Sequence, residues 1–208
     1  MFSKFNISEI FTDGLKLLKV DSNRLSFIML HLLIPIFANI LAIKFNIRFD
    51  KDIISNIISS ISLFSGLLFS VIFILTGNYS TRRSLFLSSP KQEEEDERYL
   101  DRYRKFTSDT STLILFSVLL AMITIIILFS FLLIEKIVIP IDKNNFLRVS
   151  LEWLRKKSSF SSFGKKWFLS VFQGIGYILL FNYVLVIFII VKEVYTMVYD
   201  DIYKENKK

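Results

Sequence analysis

Residues 53–76, IISNIISSISLFSGLLFSVIFILT, run without one charged side chain. At 1.5 Å rise per residue, a helix of roughly 20 residues crosses the ~30 Å hydrocarbon core of a bilayer. Three further stretches share this character: 25–43, 110–134 and 167–191 contain no Asp, Glu, Lys or Arg. Together they predict an all-α fold, a polytopic integral membrane protein with four transmembrane helices. Amphipathic helices lying at the interface complete it.

Composition supports one membrane domain over 1–208. Hydrophobic residues make up 52% of the chain, and 6 Gly and 3 Pro leave little material for a separate loop-rich domain. With no cysteine and a single histidine, His31, thiolate and multi-histidine metal sites are excluded. No cofactor is expected, and no catalytic motif such as H-E-x-x-H, G-x-S-x-G or a P-loop occurs. A non-enzymatic role is therefore expected. The net charge of +7 is concentrated in 135–166, where 8 basic residues face 3 acidic ones. Beside a membrane span, such a segment points to anionic headgroups rather than to nucleic acid.

Segments between the spans have readable structure. Residues 1–24 show no signal-peptide cleavage site, and Asn6-Ile7-Ser8-Glu9 has the form of a capping box. The helix after it carries Ile7, Ile10, Phe11, Leu15 and Leu18 on one stripe, which suits an interfacial position. Asp21-Ser22-Asn23 ends it. Only 44–52 joins the first two spans, so these form a hairpin.

In 77–109, Ser89-Pro90-Lys91-Gln92 reads as a helix start. Glu93, Glu94, Glu95, Asp96 and Glu97 follow at the positive end of the helix dipole. Tyr99, Leu100, Tyr103 and Phe106 gather on one side. That charged helix is either a solvated extension of the third span or a docking face for a partner. After Pro140, residues 146–157 form a second amphipathic helix with Trp153 at headgroup depth, and 158–164 form a hinge into the fourth span. The tail, 192–208, continues that span's helix with Tyr195, Tyr199 and Tyr203 four residues apart.

Lys and Arg number 15 in the N-terminus, the 77–109 loop and the tail, against 11 in the other two loops. The positive-inside rule then places both termini in the cytoplasm.

Inside the spans, polar and small residues mark helix packing. His31, Pro35 and Asn39 share a face of the first span with Ala38 and Ala42. Ser55, Ser59, Ser62, Gly66 and Ser70 share one face of the second, with consecutive small-x-x-x-small steps. Such contacts occur within one chain or between copies, and a homo-oligomer is one expectation. Ser117, Ala121 and Thr124 in the third span, and Ser170 and Gly174 in the fourth, repeat the pattern. Gln173 and Asn182 are expected to hydrogen-bond between helices. A proton path through His31 is the competing reading, and it lacks an intramembrane carboxylate to work with.

Chemically empty spans beside ordered polar segments suggest a subunit that oligomerises and anchors a soluble cytoplasmic partner. The alternative is a pore-forming or depolarising, holin-like effector with hydroxyl-lined walls. In span number, size, Glu-rich helix at 92–106 and tyrosine-lined tail, the chain resembles small membrane subunits of bacterial antiphage systems, of the Kiwa membrane-subunit type. The resemblance implies a membrane-anchored homo-oligomer that recruits a cytoplasmic partner acting on phage nucleic acid, with no direct nucleic-acid contact by this chain.

Overall fold

The computed structural model describes residues 6–20, 27–45, 50–88, 94–138 and 162–205, and every regular element in them is helical. Helix α1 spans Ile7–Val20; a π-helical segment, Met29–Leu33, runs directly into α2, Ile34–Lys44. Three long helices follow: α3 at Lys51–Ser88, α4 at Glu94–Val138 and α5 at Ser162–Glu205. The amphipathic helix expected at 146–157, Pro140, the cap at 89–92, Glu93 and the break at 21–23 lie outside the described residues.

Helices α3, α4 and α5 are each long and apolar enough to cross a membrane. The apolar part of the first expected span is a shorter helix, Met29–Ala42. At 38, 45 and 44 residues, the long helices reach ~57 to ~68 Å, about twice the hydrocarbon thickness. Their ends must project beyond it.

Helix α4 is central. In its apolar part 44% of the span is buried within the chain, against 11% for α3. Ile54 of α3 packs with Leu128 and Phe131 of α4, while Tyr79 stacks on Tyr103 at the other end. The two helices are therefore antiparallel. Phe172 and Tyr177 of α5 join the Leu128 cluster, and Lys192 and Glu193 lie near Arg102 and Lys105, so α5 is also antiparallel to α4. It follows that the C-terminal end of α3, the N-terminal end of α4 and the C-terminal end of α5 emerge on one side.

Two starts are explained locally. Helix α1 begins directly after Asn6, whose carbonyl accepts from the Glu9 and Ile10 amides. Asp50 caps α3, its carboxylate accepting from the Ile53 amide at 2.7 Å, which holds a donor otherwise unpaired in the first turn.

The buried face of α3 is Ile54, Ile61, Leu68 and Leu75, one residue every seven. This is the spacing of a coiled-coil seam. Ser59, Ser62, Gly66 and Ser70 lie elsewhere on the helix, exposed, with Ser62 and Ser70 hydroxyls donating to carbonyls of their own helix. Within the chain they are not packing residues, because the large apolar stripe takes the contact with α4. On α4 the small-residue pattern does face protein: Ser117, Ala121 and Thr124 are all buried.

Helix α1 crosses α4 where Gly14 meets Phe116. A Cβ on Gly14 would lie 2.5 Å from the Phe116 Cγ, so a glycine is what permits the approach. Leu18 is buried beside it, whereas Ile7 and Leu15 of the expected stripe remain exposed. Residues 162–164 of the expected hinge belong to α5.

Candidate functional site

A polar junction joins two distant segments at His31 and Asn182. Pro35 has no amide hydrogen, so the His31 carbonyl, four residues earlier, has no α-helical donor. The chain widens there into its π-helical turn, with the Ile34 amide donating to the Met29 carbonyl. Asn182 of α5 completes the junction: its Nδ2 donates to the His31 carbonyl at 3.0 Å and to the Ile178 carbonyl at 2.8 Å. With both amide hydrogens used, its Oδ1 accepts, and the His31 Nδ1, 2.6 Å away, carries the proton. The ring also packs on Phe27, centroids 4.5 Å apart.

Two turns further along, Asn39 lies against Gly174. A Cβ on Gly174 would stand 2.6 Å from the Asn39 Nδ2. The pairs 31 with 182 and 39 with 174 step eight residues in opposite directions, which sets the register of α2 against α5. Pro35 and Ala42 are buried on this face, and Ala38 is exposed. The buried Asn39 Oδ1 has no hydrogen-bond partner. Asn182 thus makes the contact expected of it, and Gln173 is buried. Tyr183 adds a link to α3, its hydroxyl 3.3 Å from the Ser65 hydroxyl.

Outside the apolar zone, α3 and α4 remain joined. The Arg82 guanidinium donates to the Tyr99 hydroxyl and sits over the Tyr103 ring, 4.7 Å from its centroid. Tyr79 stacks on Tyr103 at 6.5 Å with planes 9° apart, and Phe106 closes the group at 6.3 Å. Tyr103 is only 3% exposed. It therefore offers no open docking face: the aromatic side of the charged helix is turned onto α3. Tyr99 is half-buried there. Glu94, Glu95 and Asp96 occupy the first positions of α4, and the Glu97 side chain is exposed.

Where α4 changes from Asp109 to Thr110 and α5 from Val191 to Lys192, a cavity of about 470 Å³ opens between α1, the π-helical segment, α4 and α5. His31 forms part of its wall. Among the described residues, no group of three His, Asp or Glu side chains is placed to hold a metal ion. Compared with known proteins, the chain matches no protein family, no curated protein and no solved structure.

Proposed function

We propose that this chain is a non-enzymatic, four-span subunit of a bacterial inner membrane that self-associates and anchors a soluble cytoplasmic partner, in an antiphage setting. The observation that carries this reading is the braced stalk. Helices α3 and α4 continue past their apolar parts as one pair, locked by Arg82, Tyr79, Tyr99 and Tyr103. A stiff, charged projection of this kind presents a fixed surface while the spans hold position. The acidic residues 94–97 at the start of α4 attract a basic partner, and such attraction acts over a Debye length of ~8 Å at physiological salt.

Reporter fusions near Gln92 and at Lys208 test the orientation, and both are expected to report cytoplasm. Replacing Glu93, Glu94, Glu95, Asp96 and Glu97 by Gln and Asn is expected to leave insertion intact. It should abolish a salt-sensitive association with the product of the adjacent reading frame. Retention of that association by the neutralised variant would refute the anchor reading.

A second reading, the pore, is favoured by the serine face of α3, which is exposed among the described residues: Gly66 has no neighbouring atom within 4 Å of where its Cβ would be. Copies meeting there would bring Ser59, Ser62 and Ser70 together. Loss of membrane potential on expression, independent of the acidic cluster, would support the pore over the anchor.

A further inference from the structure

The cavity at the charged boundary has two unlike kinds of lining. Leu17, Leu30, Leu113 and Ile189 are apolar, and Arg102, Lys105 and Lys192 are charged, as are Asp109 and Glu193. Arg102 and Lys105 are exposed, and neither makes an ion pair among the described residues. The cavity lies at the level where two helices pass together from apolar to charged sequence, which is where a membrane changes from tails to headgroups. Its volume of about 470 Å³ falls within the range of small-ligand sites.

We propose that this cavity binds one membrane phospholipid, with the phosphate at Arg102 and Lys105 and an acyl chain along Leu30, Leu113 and Ile189. A free anion would leave the apolar lining in contact with nothing it attracts. A purely apolar solute would leave the two cations unanswered. Only an amphiphile meets both kinds of lining at once, and basic pockets between spans are suited to lipid phosphates. Asp109 and Glu193 reduce the net positive charge of the rim, so a single phosphate is better matched than a multiply charged headgroup. The bound lipid would touch α1, the π-helical segment, α4 and α5 together, joining the elements around His31. This inference requires the membrane location and is independent of the partner proposed above.

The test uses the full-length protein in detergent, with native mass spectrometry against a phospholipid, a diacylglycerol of identical chains, and inorganic phosphate. Phospholipid is expected to bind about tenfold more tightly than diacylglycerol, the size of effect that a charge-assisted hydrogen bond gives. Inorganic phosphate should neither bind nor compete at equal concentration. The double variant R102Q/K105Q should lose that preference, while Arg104→Gln, on the same helix outside the cavity, should keep it. An unchanged elution profile and melting temperature would show that these exposed substitutions leave the fold intact. Equal binding of phospholipid and diacylglycerol, retention of the preference in R102Q/K105Q, or binding of phosphate alone would each overturn the proposal.

Discussion

Asn182 holds His31 at two points, accepting from the imidazole Nδ1 and donating to the main-chain carbonyl that Pro35 leaves without a partner. A side chain on α5 thereby repairs a defect in the backbone of the first apolar segment. Chain geometry dictates the defect, and tertiary packing supplies the remedy.

Asn182→Ala is expected to destabilise the protein by about 1 kcal/mol, since intramembrane hydrogen bonds average ~0.6 kcal/mol each and two cross to the His31 segment. In the Pro35→Ala background the cost should shrink, because residue 35 regains an amide hydrogen for the His31 carbonyl. Unfolding in detergent across the four members of this cycle measures the coupling; strictly additive effects would remove the repair argument.

Gly174→Ala should loosen α2 from α5, because the added methyl would meet the Asn39 amide at 2.6 Å. Asn39→Ala should relieve most of this, and it also removes an unpartnered buried oxygen. The double variant is therefore expected to melt above Gly174→Ala alone. A double variant no better than the single one would show that the side-chain contact is not what limits the approach.

Gly14→Ala is expected to detach α1 from α4, since Phe116 Cβ as well as its ring would lie within 2.7 Å of the new methyl and the ring cannot simply swing away. The chain has no cysteine, so a single cysteine at Leu17 reports the change without background. Its maleimide reaction should accelerate in Gly14→Ala and stay slow in Asp13→Ala.

Gly66→Leu should leave the melting temperature of the single chain unchanged, because its position faces open space. Any effect should appear only in self-association, measured by crosslinking and sedimentation in detergent. A destabilised monomer would mean that α3 turns a different face to α4.

Arg82→Lys should weaken the brace between α3 and α4 nearly as much as Arg82→Ala. An ammonium cannot both lie flat over Tyr103 and reach the Tyr99 hydroxyl, and the cation–π contact alone is worth about 0.5–1 kcal/mol. Protease cleavage within 77–109 should rise in both variants. Cleavage unchanged from the native chain would show that the aromatic stack alone holds the stalk.

The apolar helices are legible in the sequence because a charge-free run of such length has few alternatives to a membrane. Their continuation is partly legible: the charges at 97–105 and the tyrosines beyond Val191 keep helical spacing, and both segments are helical without a break. The inward face of α3 is harder. Lipid tails are as apolar as leucine, so hydrophobicity does not distinguish a residue facing lipid from one facing α4. The seven-residue recurrence of Ile54, Ile61, Leu68 and Leu75 is present in the sequence, and the serine steps compete with it for attention. His31 and Asn182 can each be recognised as needing a partner, but they stand 151 residues apart, and no local pattern sets their register. The burial of Tyr103 is not legible locally, because its partners, Tyr79 and Arg82, come from the preceding helix.

The seven-residue recurrence along α3 also has a mechanical side. A straight α-helix drifts ~20° per heptad, so three heptads from Ile54 to Leu75 accumulate ~60° unless the helix winds left-handed about α4. Such winding would thread the pair like a screw. Axial travel of the outer end past α4 would then be tied to rotation of the apolar part, and that rotation would carry the exposed serine face around with it.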